Sequence, residues 1–427
     1  MINAAWGLLV LLILFFSGFP VAYSIGVASL VIMKLSSGMK WLTIIQQMVA
    51  GLNSFTILTV PLFLLAGKMM NACGVTDRLF KFAKALVGWL PGGLGYVNVL
   101  ASFIFAGMSG TAIADATGLG QIEIKAMSDA GYDKDFSCAV TSASSTLGPI
   151  IPPSMPLVVY GTISGASIGA LFVAGVFPGI IMAMIMCGLC AYYAIKNKYP
   201  RTKIGTRRDF FLACRDGILP CLTPVIILLG IYTGIFTPTE SAAIVVIYST
   251  FLGVVVYKQI TWKELINVLH GTVMDAVGLC ILLGSATLFG NVMIKAMIPQ
   301  TIMKVIVNVI HNKIAFILVL NVALLVVGMF METVSSITIL TPIILPVAVA
   351  FGIDPVHLGI IIVLNLMIGV ISPPFGVVLF AITRIGEISF GRLVKALIPW
   401  FIILIVSLLI VSFIPQTCLW LPSTMYH

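Results

Sequence analysis

Two short stretches hold the residues whose types and spacing could do chemistry. Gly107-Met108-Ser109-Gly110-Thr111 lies between two apolar arms, and Glu332-Thr333-Val334-Ser335-Ser336 does the same later in the chain. Each is expected to be a tip that ends one short helix and begins another. A helix start offers unpaired N–H groups and partial positive charge, which suit an anion. A helix end offers unpaired carbonyls, which suit a hard cation such as Na⁺. Serine and threonine hydroxyls serve either purpose. A plainer reading stays open beside this one, in which small residues only let two hairpin arms pack closely.

A break follows each tip: Gly148-Pro-Ile-Ile-Pro-Pro-Ser154 and Gly369-Val-Ile-Ser-Pro-Pro-Phe375. Consecutive prolines remove N–H donors and clash with the preceding turn, so carbonyls just upstream lose their partners. The hydroxyl-rich run Thr141-Ser142-Ala143-Ser144-Ser145-Thr146 leads into the first break and adds oxygen ligands. Tips and breaks recur in register. Gly107 falls on Gly328, Gly148 on Gly369, Pro152-Pro153 on Pro373-Pro374 and Thr162 on Thr383, at a constant offset of 221 positions. In hydrocarbon, freed backbone groups must be satisfied by protein, water, ion or ligand. Paired breaks in two halves of a membrane chain therefore point to a binding site.

Charged residues inside apolar sequence are costly and often functional. Asp115 lies one turn past the first tip and Glu332 lies within the second. Either could attract a cation or cap the tip. Asp275 and Glu240 are expected to pair within the protein. Arg384 either reaches an anionic ligand or anchors the membrane face. No catalytic constellation accompanies them, since His270, His311, His357 and His427 are isolated and no nucleotide-binding loop or nucleophile elbow occurs. An enzyme is not expected.

The elements that must position these residues are membrane helices. Hydrophobic residues make up 60% of the 427 positions and charged residues only 9%, against about 25% charged in soluble domains. Apolar runs of spanning length include Leu42 to Met70, Val176 to Ile195, Ile218 to Phe236, Ala242 to Tyr257 and Leu393 to Ile414. The net charge of +9 implies no nucleic-acid partner, because the basic residues sit between spans. The eight cysteines, Cys187 and Cys190 among them, read as packing residues. Met1 to Ala5 has no basic stretch and no A-x-A site follows, so the first span is expected to be retained.

Placing the basic junction 196–215 in the cytoplasm sets the topology. Gly92 to Gly120 then leaves and re-enters one side as a hairpin, and Gln121 to Asp135 becomes a cytoplasmic link. Ile314 to Ala350 is a second hairpin entering from the opposite side. Phe136 to Thr162 and His357 to Ile382 are broken spans. Of the 23 Lys and Arg residues, only Lys34, Lys40, Lys295, Lys304 and Lys313 then fall outside, as the positive-inside rule requires. Lys68 is expected to snorkel to the inner interface, and both termini to be periplasmic. The fold expected is an all-α polytopic membrane protein of inverted repeats, each with a re-entrant helical hairpin and a broken transmembrane helix. It divides into scaffold at 1–91, a first hairpin and broken helix at 92–165, scaffold at 166–313, a second hairpin and broken helix at 314–386, and a final helix with a periplasmic end at 387–427.

The tip Gly-Met-Ser-Gly-Thr-Ala, the break Gly-Pro-Ile-Ile-Pro-Pro-Ser, and their counterparts Gly-Met-Phe-Met-Glu-Thr and Ser-Pro-Pro-Phe-Gly resemble the large membrane subunit of tripartite ATP-independent periplasmic (TRAP) transporters. The resemblance covers essentially the whole chain. It implies an elevator-type transporter in the bacterial inner membrane that takes an organic acid from a periplasmic substrate-binding protein. It also implies a small four-helix membrane subunit, surrounding lipid and coupling to two or more Na⁺ ions. Carried onto this chain, one ion site joins Gly107, Ser109 and Gly110 to Ser145 and Gly148. A second joins Thr333, Ser335 and Ser336 to Gly369 and Ser372. The substrate lies near Ser109, Thr111, Asp115, Pro153 and Ser154. Sialic acid is the closest substrate match, with C4-dicarboxylates next. A stand-alone Na⁺/dicarboxylate symporter is the alternative, and an ion channel a more distant one.

Overall fold

The computed structural model describes residues 2–37, 41–53, 55–201 and 207–425; Met1, Lys40 and His427, used above, lie outside them. The first copy of the repeat comprises ten helices: α1 (Ile2–Phe16), α2 (Val21–Ile32), α3 (Trp41–Leu52), α4 (Thr59–Ala72), α5 (Val75–Val87), α6 (Gly93–Ser109), α7 (Ala112–Asp129), α8 (Lys134–Ser144), α9 (Met155–Ser164) and α10 (Ile168–Lys196). The second comprises α11 (Arg207–Tyr232), α12 (Pro238–Phe251), α13 (Trp262–Lys295), α14 (Ile298–Val309), α15 (Lys313–Phe330), α16 (Thr333–Ala350), α17 (Pro355–Val370), α18 (Val377–Gly386) and α19 (Phe390–Phe413), and α20 (Gln416–Met425) closes the chain. No strand occurs among the described residues. The 221-residue offset relates α3 through α10 to α13 through α19, and α2 precedes α12 by a slightly smaller 217 to 219 positions. Even the five-residue π-helical segments Met33–Ser37 after α2 and Leu252–Val256 after α12 correspond.

One departure from symmetry has a local cause. The expected single span Leu42 to Met70 is two helices, α3 and α4, parted at Asn53 by a 3-10 turn over Phe55–Leu58. Its counterpart α13 runs unbroken for 34 residues. Pro61 stands where the second copy has Leu282. Its ring excludes the carbonyl four residues back and it donates no hydrogen bond, so the helix cannot continue through it from upstream.

Two bodies pack together. One is a frame in which α2, α3 and α4 lie on α13, α4 on α12, and α5 on α11. The other holds both hairpins and both broken helices, and it is interlocked. The second arm of each hairpin packs on the late half of the other copy's broken helix, α7 on α18 and α16 on α9. At its centre α17 is buried from His357 to Val370. α10 lies on α6, α9 and α17, and α19 on α8 and α17, so both helices pack on this hairpin body. Outward faces stay apolar, as a lipid solvent allows. Trp262, Ile266 and Val273 on α13 and Ile314, Val319 and Val322 on α15 are exposed.

The hairpin arms hold 17 and 18 residues in the first copy and 18 each in the second. The first hairpin is longer than the expected Gly92 to Gly120, the second matches Ile314 to Ala350 within a residue, and at about 27 Å for 18 residues the arms reach the lower limit of spanning length. The expected cytoplasmic link 121–135 shrinks accordingly, because α7 continues to Asp129. At its foot Tyr132 stacks on Tyr199, with ring centroids 4.4 Å apart, and its phenol donates to the Pro200 carbonyl. Burial pushes that phenol up to about 12. Beside it Arg392 pairs with Asp135 at 2.9 Å and Lys134 with Glu387 at 3.5 Å, tying the start of α8 to the corner before α19.

Lys68 does not snorkel. It pairs with Asp275 at 2.5 Å and donates to the Gly271 carbonyl at 2.8 Å, joining α4 to α13. Asp275 thus pairs within the protein as expected. Glu240 instead closes a capping box with Thr237 at the start of α12. Removing one partner of an ion pair strands the other charge in apolar surroundings. Lys68→Met is expected to destabilise the protein by about 1–2 kcal/mol, the penalty being moderated by partial exposure. Lys68→Met combined with Asp275→Leu should recover most of that loss, as read by thermal unfolding in detergent.

Candidate functional site

The first tip is built by a helix end meeting a helix start. α6 stops at Ser109, Gly110 turns the chain at φ +62°, and the Thr111 side chain caps α7 by accepting the Ala114 N–H at 3.3 Å. Ser109 ends α6, and its side chain lies outside the described residues. The first break begins as α8 gives way to a 3-10 turn, Ser145–Leu147, and α9 restarts after Ser154. Tip and break touch. A side chain on Gly110 would meet the Pro153 carbonyl at 3.0 Å, and one on Gly148 would meet the Thr111 carbonyl at 3.3 Å. A side chain on Gly107 would meet the Pro152 carbonyl of the break at 3.3 Å and the Pro224 ring of α11 at 2.8 Å. Only backbone without side chains permits these approaches.

The second copy repeats the arrangement one turn deeper. A side chain on Gly369 would stand 2.5 Å from the Gly328 Cα, so α15 and α17 meet backbone to backbone just below the tip. Above that contact Glu332 caps α16, accepting the Ser335 N–H at 3.0 Å. Ser336 donates to the Glu332 carbonyl, and Ser372 to the Ile368 carbonyl, at 2.9 and 2.7 Å. Thr333, Ser335, Ser336 and Ser372 are all buried.

The chemistry of these groups suits a hard cation. The Ser145 hydroxyl donates to the Ser142 carbonyl at 2.8 Å, as Ser336 and Ser372 donate to theirs. A hydroxyl that spends its proton on the backbone turns its lone pairs outward. The last carbonyls of α6 and α8 add further oxygens. Among the described residues no cluster of three His, Cys, Asp or Glu side chains offers a transition-metal site.

The substrate candidates separate. Thr111 is half-buried at the mouth of the tip. Ser154 is fully buried, donates to the Pro149 carbonyl and caps α9 by accepting the Leu157 N–H at 3.2 Å. Pro153 forms the floor under Gly110. Asp115 lies inside the hairpin body rather than at its mouth, 2% exposed, with both carboxylate oxygens unpartnered. Glu332 takes the capping reading, and Arg384 stands exposed in the last turn of α18. Sequence reasoning missed the buried polar side chains behind the breaks: Asn98, Ser102 and Glu123 in the first copy, Asn321, Asn365 and Ser412 in the second. The i, i+4 spacing of Asn98 and Ser102 in an apolar arm was the available signal.

Two interlocked copies of hairpin and broken helix, meeting at tips that offer carbonyls, hydroxyls and helix starts, define a secondary-transporter permease. The profile of the DctM component of tripartite ATP-independent periplasmic transporters matches residues 8–417, and the chain belongs to that family. It is 41% identical to the sialic acid TRAP transporter large permease protein SiaM of Vibrio cholerae, over 99% of this chain and 98% of that one. It is 39% identical to the C4-dicarboxylate TRAP transporter large permease protein DctM of Pseudomonas aeruginosa, over 86% of each. In fold it is similar to the YdaH transporter of Alcanivorax borkumensis, with a TM-score of 0.62 at 13% identity over 87% of each chain.

Proposed function

We propose that this chain is the large permease subunit of a Na⁺-coupled importer of an organic acid in the bacterial inner membrane, with both termini periplasmic. Sialic acid is the substrate this reading favours, supported by 41% and 37% identity to two sialic acid TRAP permeases; C4-dicarboxylates come second. The single observation that carries the ion sites is the close approach of hairpin to break in both copies, at the tip itself for Gly110 with Pro153 and one turn below the tip for Gly328 with Gly369. One Na⁺ would bind between Gly107, Ser109 and Gly110 and the pair Ser145 and Gly148. A second would bind between Thr333, Ser335 and Ser336 and the pair Gly369 and Ser372.

The two tips differ in a way that favours one place for the acid. The start of α16 already holds a carboxylate, that of Glu332. The start of α7 is capped by the neutral Thr111 hydroxyl, and the one acid of its first turn, Asp115, is buried in the hairpin body and accepts none of the helix-start N–H groups, which leaves those groups for the substrate anion. The acid would thus sit by Ser109 and Thr111, above Pro153 and Ser154, with Na⁺ stiffening the tip beforehand. The hairpin body would then move as a unit against the frame, an elevator motion. A small four-helix subunit would brace the frame and a periplasmic binding protein would deliver the acid.

The test is uptake of labelled sialic acid into proteoliposomes carrying the permease and its small subunit. Uptake is expected only with the binding protein outside and Na⁺ in the medium, and K⁺ in place of Na⁺ should abolish it. Uptake without the binding protein would favour the stand-alone symporter instead.

A further inference from the structure

Glu123 falls where the sequence suggests a cytoplasmic link, yet its side chain is fully buried between the arms of the first hairpin and α8. Its Oε2 accepts the Asn98 amide at 2.8 Å, while Oε1 has no partner. The surroundings are neutral. The same amide donates to Thr141 at 2.7 Å, Ser144 donates to the Asn98 carbonyl oxygen at 2.8 Å, and Ser102 donates to Ser144 at 3.0 Å.

No cation answers this carboxyl. On α7 itself Lys125 and Asp129 are exposed, as are Asp77, Lys81 and Lys84 on α5 and Arg384 on α18. Arg78 bonds Gln259 and covers the Tyr257 ring. Lys134 and Asp135 on α8 pair with Glu387 and Arg392. Tyr96 on α6 and Cys138 on α8 supply no positive charge. The remaining ionisable neighbour is Asp115, itself buried, eight residues or about 12 Å back along α7.

An ionised carboxylate in such a place costs several kcal/mol without a counter-charge. A metal ion would need several oxygens at once, whereas the amide already occupies Oε2 and Thr141, leaving Oε1 alone. One free oxygen suits a proton. Nor does the architecture require acids here, since the counterparts of Asp115 and Glu123 in the second copy are Ser336 and Ile344. The matching buried network there is Asn321, Asn365 and Ser412, neutral throughout.

We propose that Glu123 is a proton-binding site within the hairpin body, so that this body crosses the membrane with the Glu123 charge neutralised. Its consequence for transport rests on the functional reading above; its protonation does not. The direct test is infrared spectroscopy of the ¹³C-glutamate-labelled permease, purified with its small subunit in lipid. At neutral pH the carbonyl band of a protonated glutamic acid is expected, absent from Glu123→Gln and lost from the wild type on alkaline titration. Uptake by the wild type should fall about tenfold per pH unit above that titration point, and Glu123→Gln should lose this alkaline fall.

A wild-type spectrum holding only ionised glutamate, or a Glu123 band that shifts with Na⁺, overturns the proposal. So does an alkaline fall in Glu123→Gln that matches the wild type. Should Glu123→Gln fail to fold, the wild-type band and its titration decide alone. Failure of wild-type uptake would instead sink the transport reading and leave the infrared result standing.

Discussion

Gly369→Ala is expected to abolish uptake and lower the thermal stability of the permease, while Gly188→Ala leaves both near wild type. The added methyl at Gly369 would stand 2.5 Å from the Gly328 Cα, where both neighbours are main chain of tightly packed helices. Backbone cannot swing aside as a flexible side chain can, so α15 and α17 must separate. Overpacking of this kind costs about 1–3 kcal/mol or more. The strain falls one turn below Glu332 and would move the second tip off its break. Gly188 on α10 has nothing within 4 Å of an added Cβ, and alanine is the better helix former there. Unfolding curves in detergent and proteoliposome uptake read the two variants side by side. Equal behaviour would mean that the α15–α17 contact positions nothing.

The second large effect is expected at the first tip, where Gly110→Ala should weaken the apparent Na⁺ affinity about tenfold or more. Two costs coincide. The φ of +62° is a left-handed conformation that disfavours any Cβ by roughly 1–2 kcal/mol, and the methyl would also meet the Pro153 carbonyl at 3.0 Å. A loss of 1.4 kcal/mol is tenfold in affinity. Gly165→Ala separates the two, since Gly165 has φ +73° with nothing within 4 Å. It should lose stability while keeping the Na⁺ dependence of uptake.

Much of this fold was legible in the sequence because the signals were backbone signals. Glycine and proline act where they stand, so a 221-residue recurrence of Gly107, Gly148 and Pro152-Pro153 located tips and breaks without knowledge of packing. The split of α3 from α4 was legible too, in Pro61, but the surrounding apolar run masked it. What the sequence did not reveal depended on the neighbours a residue acquires. Glu123 read as part of a polar link because Gln121, Lys125, Ser128 and Asp129 surround it in sequence; only the packing of α6 and α8 on one face of α7 buries it. Lys68 and Asp275 stand 207 positions apart, and nothing local to either announces the pair. The attachment of α10 and α19 to the hairpin body was hidden for the same reason, since uniformly apolar helices of spanning length do not say which side faces protein.

In the proposed mechanism each tip and its break bind a sodium ion together. A high-resolution density map of the permease with its small subunit, in Na⁺ and substrate and again with K⁺ in place of Na⁺, tests it most directly. Two ion peaks are expected, present only in Na⁺, one held by oxygens of residues 107–110 and 145–148 and the other by residues 333–336 and 369–372. Ion density elsewhere in the hairpin body, with both tip–break contacts empty in Na⁺, would contradict it.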